Sequence, residues 1–176
     1  MAVDRWVDEV ATAAAELRSA SRTTAVAMIG MRLGATLAAL ACRRGLEAER
    51  LVLWDAVLSG SAYLSELMEM QQTMISARHE DPPGPDEVGN ELLGSPYPNH
   101  LRVSLGEISL GTANWPDTPT VLIDSRPGRE SLDPHPLISH IVVDDPARWD
   151  DYAALQAALL PKAIPAVIEQ RLEDLP

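Results

Sequence analysis

The residues best placed to do chemistry are Gly30-Met31-Arg32-Leu33-Gly34, followed by Ala35. They join a short apolar run, Thr23 to Ile29 (TTAVAMI), to an alanine- and leucine-rich stretch, Arg32 to Arg44 (RLGATLAALACRR), that meets Gly45. The run reads as a strand buried on both faces, and the stretch as a helix stopped by glycine. In the G-x-S-x-G turn that presents a nucleophilic serine between strand and helix, small residues flank a central residue held in strained backbone. Both glycines are present here, but Arg32 stands in the serine's place. The helix N-terminus brings unpaired N–H groups and a positive dipole end to the same spot, as in half of an oxyanion hole. Arg32, with Met31 and Leu33 beside it, is therefore a candidate anion-binding set.

Arginine keeps its proton at any ordinary pH and offers no lone pair, so Arg32 cannot act as a nucleophile. A cation at a helix N-terminus also opposes the dipole, at a cost of about 0.3 to 1 kcal/mol unless a carboxylate lies close. Two carboxylates are expected on the same rim. Asp55 closes a second apolar run, Arg50 to Trp54 (RLVLW), and Asp124 closes a third, Thr118 to Ile123 (TPTVLI). Either could pair with Arg32 through two parallel hydrogen bonds, giving a closed, inert site. Alternatively Arg32 and the neighbouring N–H groups take a carboxylate or phosphate ligand at the crevice where open α/β sheets bind ligands. Ser59 and Ser61 read as turn formers, and Cys42, inside an alanine-rich helix, as buried and inert. The histidines, His79, His100, His135 and His140, read as surface or packing residues.

The elements that must position these residues alternate strand and helix. Val3 to Ala20 is an amphipathic helix with Trp6, Val7, Val10, Ala14 and Leu17 on one face. Ser61 to His79 forms another helix, whose methionines serve as core filler. Residues 80 to 96 contain three prolines near their start and are expected to be a loop or hinge. A short helix is expected from Asn99 to Ile108, a fourth strand at Ile138 to Val143 (ISHIVV), and helical segments from Trp149, the last being Ala166 to Leu175. Such alternation predicts an α/β fold with a mostly parallel sheet of about four strands flanked by helices.

Composition narrows the function classes. The 176 residues carry a net charge of -12, which disfavours nucleic acid and anionic membrane as partners. A single cysteine allows no intrachain disulfide and no cysteine metal cage. No signal-peptide pattern and no apolar run of about 20 residues are present, so a cytoplasmic protein with no membrane span is expected. No cofactor or metal is expected.

At the elbow the sequence resembles the α/β-hydrolase superfamily, and within it the exosortase-system-associated hydrolases, a bacterial group linked to protein sorting and exopolysaccharide gene clusters. The matching segments are GMRLGATLAALAC, LVLWDAVLSGSAYLSEL, ELLGSPYPNHLRVSLGEISL and the final IPAVIEQRL. In part of that group the elbow also looks like G-x-R-L-G-A. The resemblance implies the C-terminal half of the fold, one domain over residues 1–176, with a cap-like helical insertion over about 61–115. It also implies where a catalytic acid and histidine would fall. The acid's position is near Pro127 or Gly128, and the histidine's lies in Asp144 to Trp149 (DDPARW), which has none.

The fold would also carry strands before the elbow, so Thr23 to Ile29 is expected at the sheet edge. An apolar edge invites pairing, and it is expected to be covered by a partner chain, a second copy or the first helix. Three functions follow as expectations. The first is a noncatalytic α/β-hydrolase-like subunit with a binding or assembly role. The second is an esterase-like hydrolase completed by another chain, and the third an anion sensor built on Arg32.

Overall fold

The computed structural model describes residues 2–77, 91–125, 135–144, 149 and 163–173. By compactness the chain divides into two units. One comprises Met1–Val3, Ser59–Ser109 and Arg148–Leu159; the other comprises Asp4–Leu58, Leu110–Ala147 and Leu160–Pro176.

The larger unit holds a four-stranded, wholly parallel sheet. Its strands are β1 (Ala27–Met31), β2 (Arg50–Trp54), β5 (Thr120–Asp124) and β6 (Ile138–Val142), in the order β1-β2-β5-β6. One row of register partners runs Gly30, Leu53, Leu122, His140 across all four strands. The aliphatic side chains of the two central strands are the centre of this core, with Leu51, Val52, Leu53, Leu122 and Ile123 fully buried. That is what sequences apolar on both faces require.

Helix α1 (Ala2–Ser21) precedes β1, and α2 (Leu33–Arg43) follows it and packs on β1 and β2. The buried face of α2 is Ala35, Ala38, Ala39, Leu40, Ala41 and Cys42. Short side chains let the helix axis come close to the strands. Arg44 beyond α2 pairs with Asp4 of α1, an exposed bridge that contributes little to stability. Helix α5 (Ala163–Glu173) buries Ile164 and accepts at the Arg171 carbonyl a 2.8 Å hydrogen bond from Arg50 Nη1. A guanidinium at the last turn of a helix satisfies a carbonyl that has no intrahelical donor.

The first strand differs from its expected bounds. The expected run, Thr23 to Ile29, begins too early and ends too soon. Thr23 Oγ1 accepts from the Ala25 N–H at 3.2 Å, a local turn that delays the ladder until Ala27. At the other end the strand continues through Gly30 and Met31, and the chain turns at Arg32. The expectation that this strand is an edge agrees with the structure. Among the described residues β1 pairs only with β2, leaving Ile29 54% and Met31 45% exposed.

The smaller unit contains α3 (Gly60–Ala77), α4 (Asn99–Gly106) and a hairpin of β3 (Glu91–Leu92) and β4 (Ser95–Pro96). Gly60 lies so close to α4 that an added Cβ would overlap the Leu105 carbonyl oxygen. The hairpin corrects the expected loop over 80–96. Its turn, Leu93-Gly94, has φ of 53° and 77°, the left-handed pair that a two-residue hairpin loop uses. Residues 80–90 of that expectation, the ends of the helices expected to reach His79 and Leu175, and most of the segment after Trp149 lie outside the described residues.

Candidate functional site

The sequence-derived site residues meet at the C-terminal ends of adjacent parallel strands. Met31 is the last residue of β1, Arg32 the turn, and Leu33 the first residue of α2. Asp55 directly follows β2, and Asp124 ends β5. Backbone bonds continue the ladder past the strand ends. The Arg32 N–H donates to the Trp54 carbonyl at 2.9 Å, and the Asp55 N–H donates to the Ile123 carbonyl at 2.8 Å.

Arg32 sits at the apex of a strained turn, with φ 52° and ψ -125°. A side chain in this region costs about 1 to 3 kcal/mol, which the surrounding packing must offset. Gly30 shows how tightly that packing is drawn. A Cβ there would lie 2.7 Å from the Ala35 amide nitrogen, so only glycine lets the helix return so close to its strand. Gly34 is different. Nothing stands within 4 Å of the Cβ it lacks, so the second glycine is not a packing requirement. The Ala35 and Thr36 N–H groups bond to the Arg32 carbonyl, while those of Leu33 and Gly34, first in the helix, have no intrahelical acceptor. Thr36 Oγ1 donates to the Val57 carbonyl at 2.8 Å, fastening α2 to the chain just past β2.

Asp55 is fully buried and itself in left-handed backbone, φ 45°. Its carboxylate accepts from the Ser125 N–H at 2.8 Å and, closely, from Ser125 Oγ, which in turn accepts from Trp54 Nε1 at 3.2 Å. Buried carboxylates are tolerated when so satisfied. Asp124, with 6% of its side chain exposed, meets His140 Nε2 at 2.7 Å.

Ser125, Trp54 and His140 were missed as site residues. His140 had left a signal, an imidazole between the isoleucines of a short strand, but only the strand order reveals its partner. Its register partner Leu122 lies two residues before Asp124, which places both polar groups on one face of the sheet. Cys42 is buried as expected, and burial pushes its thiol up against weaker opposing effects from Thr118 and Arg18.

Chemically, the rim has no nucleophile at its apex. Its imidazole lies on the strand farthest from the elbow, three strand spacings or about 14 Å away across the sheet. Among the described residues no cluster of three or more His, Cys, Asp or Glu could hold a metal ion. No helix among them is long and apolar enough to cross a membrane.

A parallel sheet with flanking helices and a strained glycine elbow between strand and helix defines an α/β-hydrolase-like fold. The chain superposes with a TM-score of 0.50 on an alpha/beta hydrolase from Sphaerobacter thermophilus DSM 20745, at 18% sequence identity, covering 96% of this chain and 74% of that one. At that identity the likeness establishes the fold and nothing finer. No family model and no curated protein matches the chain.

Proposed function

We propose that this protein is a noncatalytic α/β-hydrolase-like subunit that works by binding and assembly. The observation that carries this reading is the elbow. A positive-φ turn at the end of the first strand presents a guanidinium with no lone pair to give, where the fold's chemistry would need a nucleophile. Supporting it, the neighbouring Asp55 is hydrogen-bonded to Ser125 and Asp124 to His140. Assembly is supported by β1, an edge strand with two half-exposed apolar side chains. The resemblance to exosortase-system-associated hydrolases would set that assembly among bacterial protein-sorting or exopolysaccharide functions, in the cytoplasm.

Aryl esters and thioesters offered to the purified chain are expected to hydrolyse no faster than in buffer. Turnover that is lost in Arg32→Ala would sink the noncatalytic reading. In native mass spectrometry the chain is expected above its single-chain 19.1 kDa, alone or with products of neighbouring genes. Ile29→Glu combined with Met31→Lys should return it to one chain, and a single-chain mass throughout would remove the assembly role.

A second reading, a hydrolase completed by another chain, is favoured by the preserved strained elbow and its tight Gly30 contact. Ester hydrolysis that appears only when a partner chain is added would select it.

A further inference from the structure

Charge is unevenly spread along this chain. From Leu17 to Leu46 there are five arginines, Arg18, Arg22, Arg32, Arg43 and Arg44, and no aspartate or glutamate. The other residues hold all 26 acidic side chains and nine of the 14 basic ones. That acid-free stretch is the end of α1, all of β1, the elbow and all of α2. Its charge is only partly answered nearby. Arg44 pairs with Asp4, and Arg18 donates to the Thr24 and Glu47 carbonyls, but Arg22 and Arg43 stand exposed. Helix dipoles account for Arg18 and Arg43, each in a last turn. The resulting field is nonetheless positive beside the open edge of the sheet, in a chain that is negative elsewhere. The first carboxylates after the stretch, Glu47 and Glu49, lie on the paired side of β1, where the Glu49 N–H donates to the Val26 carbonyl at 2.9 Å.

The backbone of β1 is arranged to receive a further strand. The Arg32 N–H points at β2, where it meets the Trp54 carbonyl. Successive residues of a strand turn their backbone groups to opposite edges, so Ala27, Ile29 and Met31 direct theirs outward. Ile29 and Met31 also expose their side chains, on one face of the sheet. A strand laid along this edge would therefore gain main-chain bonds from three residues and apolar contact from two.

A second copy is the poorer occupant. Pairing β1 with β1 would bring two acid-free, arginine-bearing segments together, on two bodies that each carry a net charge of -12. Like charges facing one another across an interface select against that partner.

We propose that the open edge of β1 receives an extended, acidic segment of a different protein, apolar at alternate residues and flanked by carboxylates. This rests on the assembly role proposed above and gives the partner its chemistry.

Fluorescence anisotropy of labelled peptides with the full chain tests the proposal. The probe alternates valine and threonine and carries two glutamates at each end; a second version carries lysines instead, and a third has N-methylated valines that cannot donate to a ladder. The glutamate peptide is expected to bind saturably, the lysine peptide about tenfold more weakly at low salt, and the methylated peptide not at all. Arg22→Glu combined with Arg43→Glu, at two exposed positions, should weaken the glutamate peptide about tenfold and strengthen the lysine peptide, with an unchanged circular dichroism spectrum. The proposal is overturned if the glutamate peptide does not bind, if the lysine or methylated peptide binds as well, or if oligothymidylate displaces it. A self-assembled mass that Ile29→Glu with Met31→Lys reduces to one chain would overturn it too, while leaving the assembly role intact. A single-chain mass with every neighbouring gene product would instead remove that role. If the double arginine variant fails to fold, the peptide series on the natural chain decides.

Discussion

Strand β5 (TVLID) is buried at every residue, whereas β1 (AMIGM) buries only Gly30 and leaves Ile29 and Met31 about half exposed. Both are five-residue strands that pair in parallel, and the difference follows their place in the sheet. Among the described residues β5 has a strand on each side, while β1 has one. What fixes β1 is accordingly backbone contact rather than side-chain burial. Gly30 meets Ala35 across the elbow, and Arg32 bonds to Trp54. The stability of β5 is hydrophobic, and that of β1 is steric and hydrogen-bonded.

Substitutions can break that contrast. The largest effect is expected from Gly30→Ala, whose methyl group would drive into the backbone of α2. A loss of about 3 kcal/mol or more in urea unfolding, or failure to accumulate folded protein, is expected. Gly34→Ala, with open space around it, should be neutral or slightly stabilising; an equal loss at both glycines would refute the steric account. Leu122→Ala in β5 should cost about 2 to 5 kcal/mol. Asp55→Ala should cost about 3 kcal/mol, because it removes the buried acceptor of both the N–H and the hydroxyl of Ser125. Arg32→Gly should raise stability by about 1 kcal/mol by relieving left-handed strain, while Arg32→Ala should not. A gain in both variants would mean that the guanidinium, not the backbone, is the source of the strain. Ile29→Ala should change stability least, by under about 1 kcal/mol, and a loss equal to that of Leu122→Ala would show β1 covered as deeply as β5.

The sequence carried the fold further than the site. RLVLW and ISHIVV were legible as strands because short runs rich in aliphatic residues, bounded by turn residues, have few other stable arrangements. The elbow was legible from Gly30 and the alanine-rich helix after it. The N-terminal limit of β1 was not, because Thr23 and Thr24 look like strand residues until the Thr23 hydroxyl is seen to bond to its own loop. The β3–β4 hairpin was hidden for a related reason, since Leu93 is an unusual occupant of a left-handed turn. At the rim, the positions of Arg32, Asp55 and Asp124 were legible because each lies at or just past the end of a strand. Their partners were not, because Ser125 and His140 reach them through strand order, which no local pattern encodes.

Strand order also sets a timetable. Residues paired between β1 and β2 lie about twenty positions apart, whereas Leu51 of β2 waits for Thr120 of β5, about seventy positions on. Closing the longer loop costs more entropy before any contact rewards it, so the elbow should form early and the rim late. Until β5 arrives, Asp55 lacks Ser125 and Trp54 lacks its acceptor. During synthesis the strained turn would then exist, briefly, on a half-built sheet, and the indole of Trp54 would mark by its fluorescence when the second half closes.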